Sequence, residues 1–208
     1  MSIINKNNKR EEVIIIAMEH FSKFGYEKTK LLDIANESKT STTIIYSFFK
    51  TKHDLYEAVI EYNLNKINCE LEKIVDKSST INEYITNIID RVRIISDKKQ
   101  LFLNFYMLIS TNSVQIKNIE IVKEFERKKF SYYLKFIEHP KVNDRYTILF
   151  IDNIVNIYIY SYFNEFYRKK ILLYLSLYQQ DEQSIEFEKI LLTQLKILIE
   201  RRLFSKNN

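Results

Sequence analysis

The sequence predicts an all-α protein, and three observations lead to that prediction. The chain of 208 residues contains one Gly and one Pro, whereas sheet proteins need both residues for their many turns. Apolar residues recur at intervals of three and four, the spacing of one face of a helix. The breaks between these stretches are short and polar, as expected for helices in close succession.

Composition indicates an ordinary soluble protein. Hydrophobic residues make up 46% and charged residues 28% of the chain, which is typical of globular domains. The first residues lack the apolar run of a signal peptide, and the single Cys69 cannot form an internal disulfide, so we expect a cytoplasmic protein. Residues 148–163 are apolar, but Asp152 interrupts them and a bilayer needs about 20 residues, so we interpret them as a core or interface helix.

The net charge is +5, with a pI near 9.0. Such a balance permits a polyanionic partner without requiring one. The excess of Lys and Arg is not concentrated in the first 55 residues or in the remainder. Charge alone therefore does not locate a binding face.

The first predicted helix covers residues 9–24. Ile14, Ala17, Met18 and Phe21 follow the i, i+3, i+4, i+7 pattern of one helix face. Gly25, the only glycine, comes next. A lone Gly just after a helix predicts a left-handed residue that ends it.

Two short helices and one long helix are predicted next. The second covers residues 31–37, and the third runs from an N-cap at Ser41 to Phe48 or Phe49. The long helix covers about 54–75. Two short helices separated by about four residues form a helix-turn-helix unit, whose apolar side the first and fourth helices would cover.

The rest of the chain is predicted to be helical throughout. The clearest breaks are residues 76–80 and 139–144, and the second contains the only proline. The predicted helices lie near 80–97, 100–111, 113–138, 144–168, 170–179 and 184–204.

The third helix carries groups that suit the major groove of DNA. A recognition helix presents its first turn to base edges, and here residues 41–44 offer methyl groups for thymine methyls and hydroxyls for hydrogen bonds. Tyr46, one turn on, and Lys52, beyond the helix end, can reach phosphates. From spacing alone, an ordinary helix with a hydroxyl-rich start remains an open alternative.

A longer pattern over residues 9–62 adds to this interpretation. It consists of Phe21, Phe24-Gly25-Tyr26, Thr29, Asp33-Ile34-Ala35, Ser41, Ile45-Tyr46-x-Phe48-Phe49, Lys50-x-Lys52 and Leu55. In these positions the chain resembles the N-terminal domain of the tetracycline-repressor (TetR) family of bacterial regulators. The resemblance covers about a quarter of the chain. It implies a DNA-binding domain at 7–67 with a helix-turn-helix at about 32–51.

The predicted DNA contacts follow from this resemblance together with the residue types. They are Lys28, Thr29, Lys30, Ser41, Thr42, Thr43, Ile44, Tyr46, Ser47 and Lys52. Three positions depart from the family pattern. Lys39 and Thr43 stand where Gly is frequent, and a left-handed Lys39 would be strained. Lys30 stands where Ser or Thr often caps the second helix.

By the same resemblance, residues 68–208 form a larger helical domain for effector binding and homodimerisation, with about nine or ten helices in the chain. The helix at 144–168 is apolar on most sides, and that at 184–204 has two apolar stripes. We therefore expect both to pair with their symmetry mates in a four-helix interface. The predicted interface residues are Ile151, Val155, Tyr162, Phe187, Leu191, Leu195 and Leu198.

Candidate effector contacts come from inward-looking aromatic and polar positions. They are Cys69, Phe102, Phe105, Tyr106, Phe125, Asp152, Asn156 and Tyr158. Plain core packing is the alternative for each, and a small buried hydrophobe is the alternative for Cys69. Asp152 and Asn156 interrupt an apolar helix and need polar partners. Those partners could lie across the dimer, within the fold (Arg91 or Arg93), or on a ligand.

The predicted function is a ligand-responsive regulator that binds a palindromic DNA operator as a homodimer and is released by an unknown small-molecule effector. Repression is the commoner role that the resemblance implies. We expect no enzyme, cofactor, metal or membrane partner, because the three histidines are scattered and no glycine loop can hold phosphate. The alternative is a helical ligand-sensing or protein-interaction module with weak or no specific DNA binding.

Overall fold

The computed structural model describes residues 3–96, 105–106, 119–137 and 142–164, with residues 166, 169, 170, 173, 193 and 197. Over these residues the regular structure is helical, which confirms the predicted fold class. The described helices are α1 (Ile3–Lys28), α2 (Leu31–Glu37), α3 (Thr42–Phe48), α4 (Lys52–Asp76), α5 (Ile81–Ser96), α6 (Ile119–Leu134) and α7 (Val142–Phe163). Most residues of the helices predicted at 100–111, 170–179 and 184–204 fall outside the described residues.

The chain divides into two compact units. The first comprises residues 1–70 and 96–126, and the second comprises residues 71–95 and 127–208. Both α4 and α6 contribute residues to each unit.

In the first unit, α1, α2 and α3 pack against one another. Each is amphipathic and buries one apolar stripe, with Phe21, Ile34 and Ile45 fully buried on the three helices. Leu55 and Val59 on α4 are also fully buried. Neither α2 nor α3 is long enough to be stable in isolation, so this shared core fixes their positions.

Gly25 interrupts α1 with φ 75° and ψ 170°. The positive φ agrees with the prediction, but this ψ lies outside the left-handed helical region, in a region that is open essentially only to glycine. The Thr29 hydroxyl donates to the Gly25 carbonyl at 2.7 Å. This bond holds the chain reversal that leads into α2.

The second unit has its own core. Apolar side chains of α5 and α7 form most of it, and aromatic rings of α6 complete it; the Tyr84 and Tyr133 rings meet edge-to-face with centroids 5.3 Å apart. The buried apolar residues of α5 and α7 are Ile81, Tyr84, Ile85, Ile88, Ile89, Val92, Ile148, Ile151, Val155, Tyr158 and Ile159.

The observed burial contradicts the sequence predictions for three residues, two in the second unit and Cys69 in the first unit. Ile151 and Val155, expected in a dimer interface, are buried inside their own unit. Cys69, expected to face inward, is exposed. Of the dimer residues, Phe187, Leu191, Leu195 and Leu198 lie outside the described residues, as does the side chain of Tyr162. None of the described helices is both long and apolar enough to cross a membrane.

Candidate nucleic-acid interface

The turn between α2 and α3 is a Schellman motif with Lys39 in its left-handed position. The Thr40 N–H donates to the Ala35 carbonyl at 2.9 Å, and the Lys39 N–H donates to the Asn36 carbonyl at 3.1 Å. These two bonds define the motif, in which glycine usually occupies the left-handed residue. Lys39 has φ 49°. The strain expected for a non-glycine residue at this position is therefore present.

The same turn is attached to the rest of the first unit. Ser38 is fully buried, and its hydroxyl donates to the Ile34 carbonyl at 2.7 Å. Lys9 of α1 donates to the Ser38 carbonyl at 2.6 Å. His20 of α1 lies 2.7 Å from a Glu37 carboxylate oxygen. These contacts fix the end of α2 against α1.

Ser41 caps α3, as predicted. Its side-chain oxygen accepts a hydrogen bond from the Ile44 N–H at 3.2 Å. In contrast, Lys30 provides no side-chain cap for α2. The departure at Lys30 therefore leaves α2 with less support at its start than α3 has.

The two faces of α3 differ sharply in exposure. Ile45 is fully buried on the inner face, and Phe49, just after the helix, is also buried. On the outer face, Ile44 is 39% exposed and Tyr46 is 53% exposed. Ser41, Thr43 and Ser47 are exposed as well, whereas Thr42 is half-buried. Most of the predicted contacts on α3 thus share one open surface.

Aromatic residues of α1 and α4 pack against one another in the same unit. The Phe21 and Tyr56 rings meet edge-to-face at 4.9 Å, and Tyr26 lies 5.0 Å from Tyr56. Burial raises the pKa of Tyr56, so this phenol stays neutral at physiological pH. Arg10 of α1 lies over the Phe49 ring, 5.0 Å from its centroid. The Phe49 ring at the end of α3 therefore packs against the side chain of a residue on α1.

Lys52 is held by the protein itself. Its ammonium donates to the Glu27 carbonyl at 3.2 Å and lies 4.6 Å from the centroid of the Tyr26 ring. An ammonium group has three donors, so this arrangement positions the charge and leaves donors for a phosphate.

Thr29 is a correction among the predicted DNA contacts. Its side chain is 3% exposed, and its hydroxyl donates a hydrogen bond to the Gly25 carbonyl near the end of α1. A residue that is buried in this way stabilises the turn and has no surface for DNA. Its neighbours Lys28 and Lys30 are exposed and keep their candidate roles.

Two further cations belong to the candidate surface and were missed as contacts at the sequence level. Lys39 precedes α3 and Lys50 follows it, and both are exposed. Both lysines could have been predicted as contacts from the sequence, because they lie within the predicted helix-turn-helix at about 32–51.

The predicted effector residues fall into two groups in different units. In the first unit, Phe105, Tyr106 and Phe125 are buried, with the Phe105 ring 6.0 Å from Tyr56 and the Tyr106 ring 5.9 Å from Phe125. In the second unit, Asp152 and Tyr158 are buried. Phe102 lies outside the described residues.

The partners of Asp152 that the structure describes lie within the fold, on α6 and on α7 itself. The Lys129 ammonium lies 2.9 Å from one carboxylate oxygen, and the Tyr133 hydroxyl donates to the other at 3.1 Å. Asn156 donates to the carboxylate at 3.1 Å. Burial, reinforced by the nearby Asp152 charge, raises the pKa of Tyr84. Asp152 is thus satisfied by this cluster without a ligand.

The described residues contain no group of three or more His, Cys, Asp or Glu side chains that could hold a metal ion.

Comparisons with known proteins agree with this geometry. Residues 16–59 match the family model described as bacterial regulatory proteins, tetR family. The HTH-type transcriptional regulator YhgD of Bacillus subtilis (strain 168), itself uncharacterized, is 22% identical over 134 residues, which cover 63% of this chain and 68% of YhgD.

Solved structures show the same fold. A TetR-family transcriptional regulator from Streptomyces coelicolor superposes with a TM-score of 0.63 at 15% identity, covering 96% of this chain and 82% of that one. The regulator FadR from Bacillus subtilis, in complex with stearoyl-CoA, superposes with a TM-score of 0.58 at 12% identity, covering 95% and 99%. The matched segment holds α2, α3 and their supporting core, and the fold extends over nearly the whole chain. The segment 16–59, which contains α2 and α3, therefore matches the tetR family of bacterial regulatory proteins, and the chain shares its fold with solved regulators of that family.

Proposed function

We propose that this protein is a ligand-responsive repressor that binds a palindromic operator as a homodimer and releases it when a small molecule binds. The observation that carries the proposal is the outer face of α3. Ile44 and Tyr46 are open to solvent there, although Ile45 on the opposite face is fully buried. A helix-turn-helix places such a face in the major groove.

Phosphate contacts would fix the orientation of this face on the duplex. Tyr46 and Lys52 supply a phenol and an ammonium, and the exposed Lys28, Lys30, Lys39 and Lys50 supply further charge. The Tyr26 ring and the Glu27 carbonyl already position Lys52, so little side-chain entropy would be lost when it meets a phosphate.

The division between positioning and sequence recognition can be tested with two variants. Lys52→Ala should weaken binding to all sequences and lower the slope of log affinity against log salt by about 1. Thr42→Ala should change the preference among sequences instead. Binding is measured by retardation of labelled fragments from the protein's own upstream region, with competitor DNA, at several salt concentrations.

Lys66→Ala is the matched control for Lys52→Ala. Lys66 also lies on α4, about 20 Å further along the helix axis, and its ammonium covers the Tyr62 ring. Both variants remove one ammonium and one cation–π contact, but only Lys52 lies beside α3. Equal losses for the two lysines would contradict a phosphate role for Lys52.

The dimer is proposed on the outer face of α7. Tyr146, Leu149, Phe150 and Ile157 are 69%, 54%, 50% and 40% exposed, respectively. Their spacing places them on one side of the helix, opposite the buried Ile151 and Val155. An exposed apolar stripe of this kind, interrupted here by Asn153, is typical of a protein interface. The helix predicted at 184–204 remains the second proposed element of this interface.

A small-molecule effector is supported by likeness to a regulator whose structure holds stearoyl-CoA. A ligand can shift the protein between DNA-binding and released forms only if it binds the two with different affinity. Thermal unfolding with and without candidate ligands measures binding, since a ligand that binds the folded state alone raises stability.

The rival is a helical sensing or interaction module with no specific DNA target. It is favoured by the absence of any charged residue in α3 itself (Thr42–Phe48). A genome-wide map of bound sites separates the two. Reproducible peaks that share one sequence support the regulator, and their absence supports the rival.

A further inference from the structure

We propose that α3 recognises its operator through thymine methyl groups, which the Thr43 methyl and the Ile44 side chain contact. This inference rests on the proposed function and names the chemistry by which that function selects a sequence. The observation behind it is what the exposed face of α3 contains and what it lacks.

No side chain of α3 can make a paired hydrogen bond to a base. Arg and Lys pair with guanine, Asn and Gln pair with adenine, and Asp or Glu accepts from cytosine. The sequence of α3 is Thr-Thr-Ile-Ile-Tyr-Ser-Phe, which contains none of these six residue types. The usual direct recognition of guanine, adenine or cytosine is thus not available to this helix.

The serine hydroxyls beside the exposed face are engaged with the helix backbone. The Ser41 oxygen accepts from the Ile44 N–H at 3.2 Å, and the Ser47 hydroxyl donates to the Ile44 carbonyl at 2.7 Å. Both groups are therefore oriented toward their own turn. They offer less to a base than an uncommitted hydroxyl would.

Apolar groups dominate what remains on this face. Ile44 is 39% exposed, whereas its neighbour Ile45 is fully buried, and Thr43 is exposed beside it. The thymine C5-methyl is the one apolar group that B-DNA presents in the major groove. An isoleucine and a threonine methyl that enter the groove have thymine as their favourable partner, because they would bury the polar edges of the other bases without a hydrogen bond.

The experiment begins with double-stranded sequences selected from a random library by the full-length protein. In the selected sequence, each thymine is replaced in turn by deoxyuridine, which removes only the C5-methyl. At one or two positions in each half-site, affinity should fall about fourfold, the value of one buried methyl group. Replacing thymine by cytosine at the same position should lose affinity, and 5-methylcytosine should recover part of it.

Two protein variants assign the contacts. Thr43→Ser removes one methyl and keeps the hydroxyl, and Ile44→Ala removes the branched chain. In each variant the deoxyuridine penalty should vanish at one position and persist at the other. Thermal unfolding of both variants, which change exposed residues, checks that they fold.

The outcomes separate this inference from the proposed function. If no sequence is selected, the proposed function is wrong. If a sequence is selected but deoxyuridine has no effect anywhere, or has the same effect in wild type and both variants, the thymine-methyl inference is overturned and the regulator remains.

Discussion

Lys39 illustrates how one residue can combine local strain with a role in the site. Its φ of 49° completes a Schellman motif, a conformation that costs a non-glycine residue about 1–2 kcal/mol. The surrounding bonds, including that from Lys9 to the Ser38 carbonyl, hold the turn in spite of this cost. The strained residue carries an exposed ammonium group next to α3.

We therefore predict that Lys39→Gly stabilises the protein and weakens DNA binding. Relief of strain exceeds the extra chain entropy of glycine, about 0.5–1 kcal/mol, so the free energy of unfolding should rise by about 0.5–1 kcal/mol. Lys39→Ala is the control, because it removes the charge but keeps the Cβ. Denaturant unfolding should show the gain for Gly alone, and retardation assays should show similar weakening for both. A gain in stability for both variants would contradict the strain argument.

Asp152 shows a limit of sequence-based reasoning at the residue scale. Its place in an apolar helix indicated that it needed a partner, but the partner, Lys129, lies 23 residues earlier on α6. No local spacing connects the two. The identity of a distant partner depends on how two helices pack, which the sequence pattern does not specify.

Removal of Lys129 should be more harmful than removal of the whole pair. Lys129→Met leaves a buried carboxylate without its counter-charge, and we expect a loss of about 3–5 kcal/mol in the free energy of unfolding. Addition of Asp152→Asn to the same chain should recover much of that loss. Denaturant unfolding of the single and double variants measures the coupling. Additive losses would mean that the 2.9 Å contact contributes little.

At the scale of the element, α2 and α3 were predictable because their ends carry local signals. The predicted bounds of α2 are those observed, and Ser41 caps α3 as expected. In contrast, α7 is apolar on most sides, so its periodicity did not indicate which face points inward. That is why Ile151 and Val155 were assigned to an interface, although the exposed stripe contains Leu149 and Phe150.

The contrast between the two short helices leads to a prediction about their caps. Lys30→Ser should supply the missing cap of α2 and raise the free energy of unfolding by about 1 kcal/mol. Ser41→Ala should remove the cap of α3 and lower it by a similar amount. Lys28→Ser is the control for the first change, since Lys28 is also exposed but lies in the last turn of α1 and not at the N-cap of α2. If Lys28→Ser stabilises the protein equally, loss of charge and not capping is responsible.

At the scale of the whole molecule, the absence of charged residues from α3 makes the proposed dimerisation important for affinity. In the proposed dimer, each recognition face would offer a few phosphate contacts, and two faces about 34–36 Å apart would meet successive major grooves on one side of the duplex. A single copy neutralises half as many phosphates. Because salt dependence counts those phosphates, the oligomeric state should be visible in the DNA-binding data themselves.

Leu149→Glu tests this connection, with Leu32→Glu as its matched control. Both leucines are exposed, 54% on α7 and 59% on α2, so neither change disturbs a core. Leu149→Glu places a charge in the proposed interface and should give a monomeric mass in sedimentation at micromolar concentration, whereas Leu32→Glu should remain dimeric. The monomer should bind its operator weakly, with about half the wild-type slope of log affinity against log salt, because each protomer brings the same phosphate contacts. A monomeric wild type would refute the proposed dimer. A dimeric Leu149→Glu variant with an unchanged slope would instead place the interface on another surface.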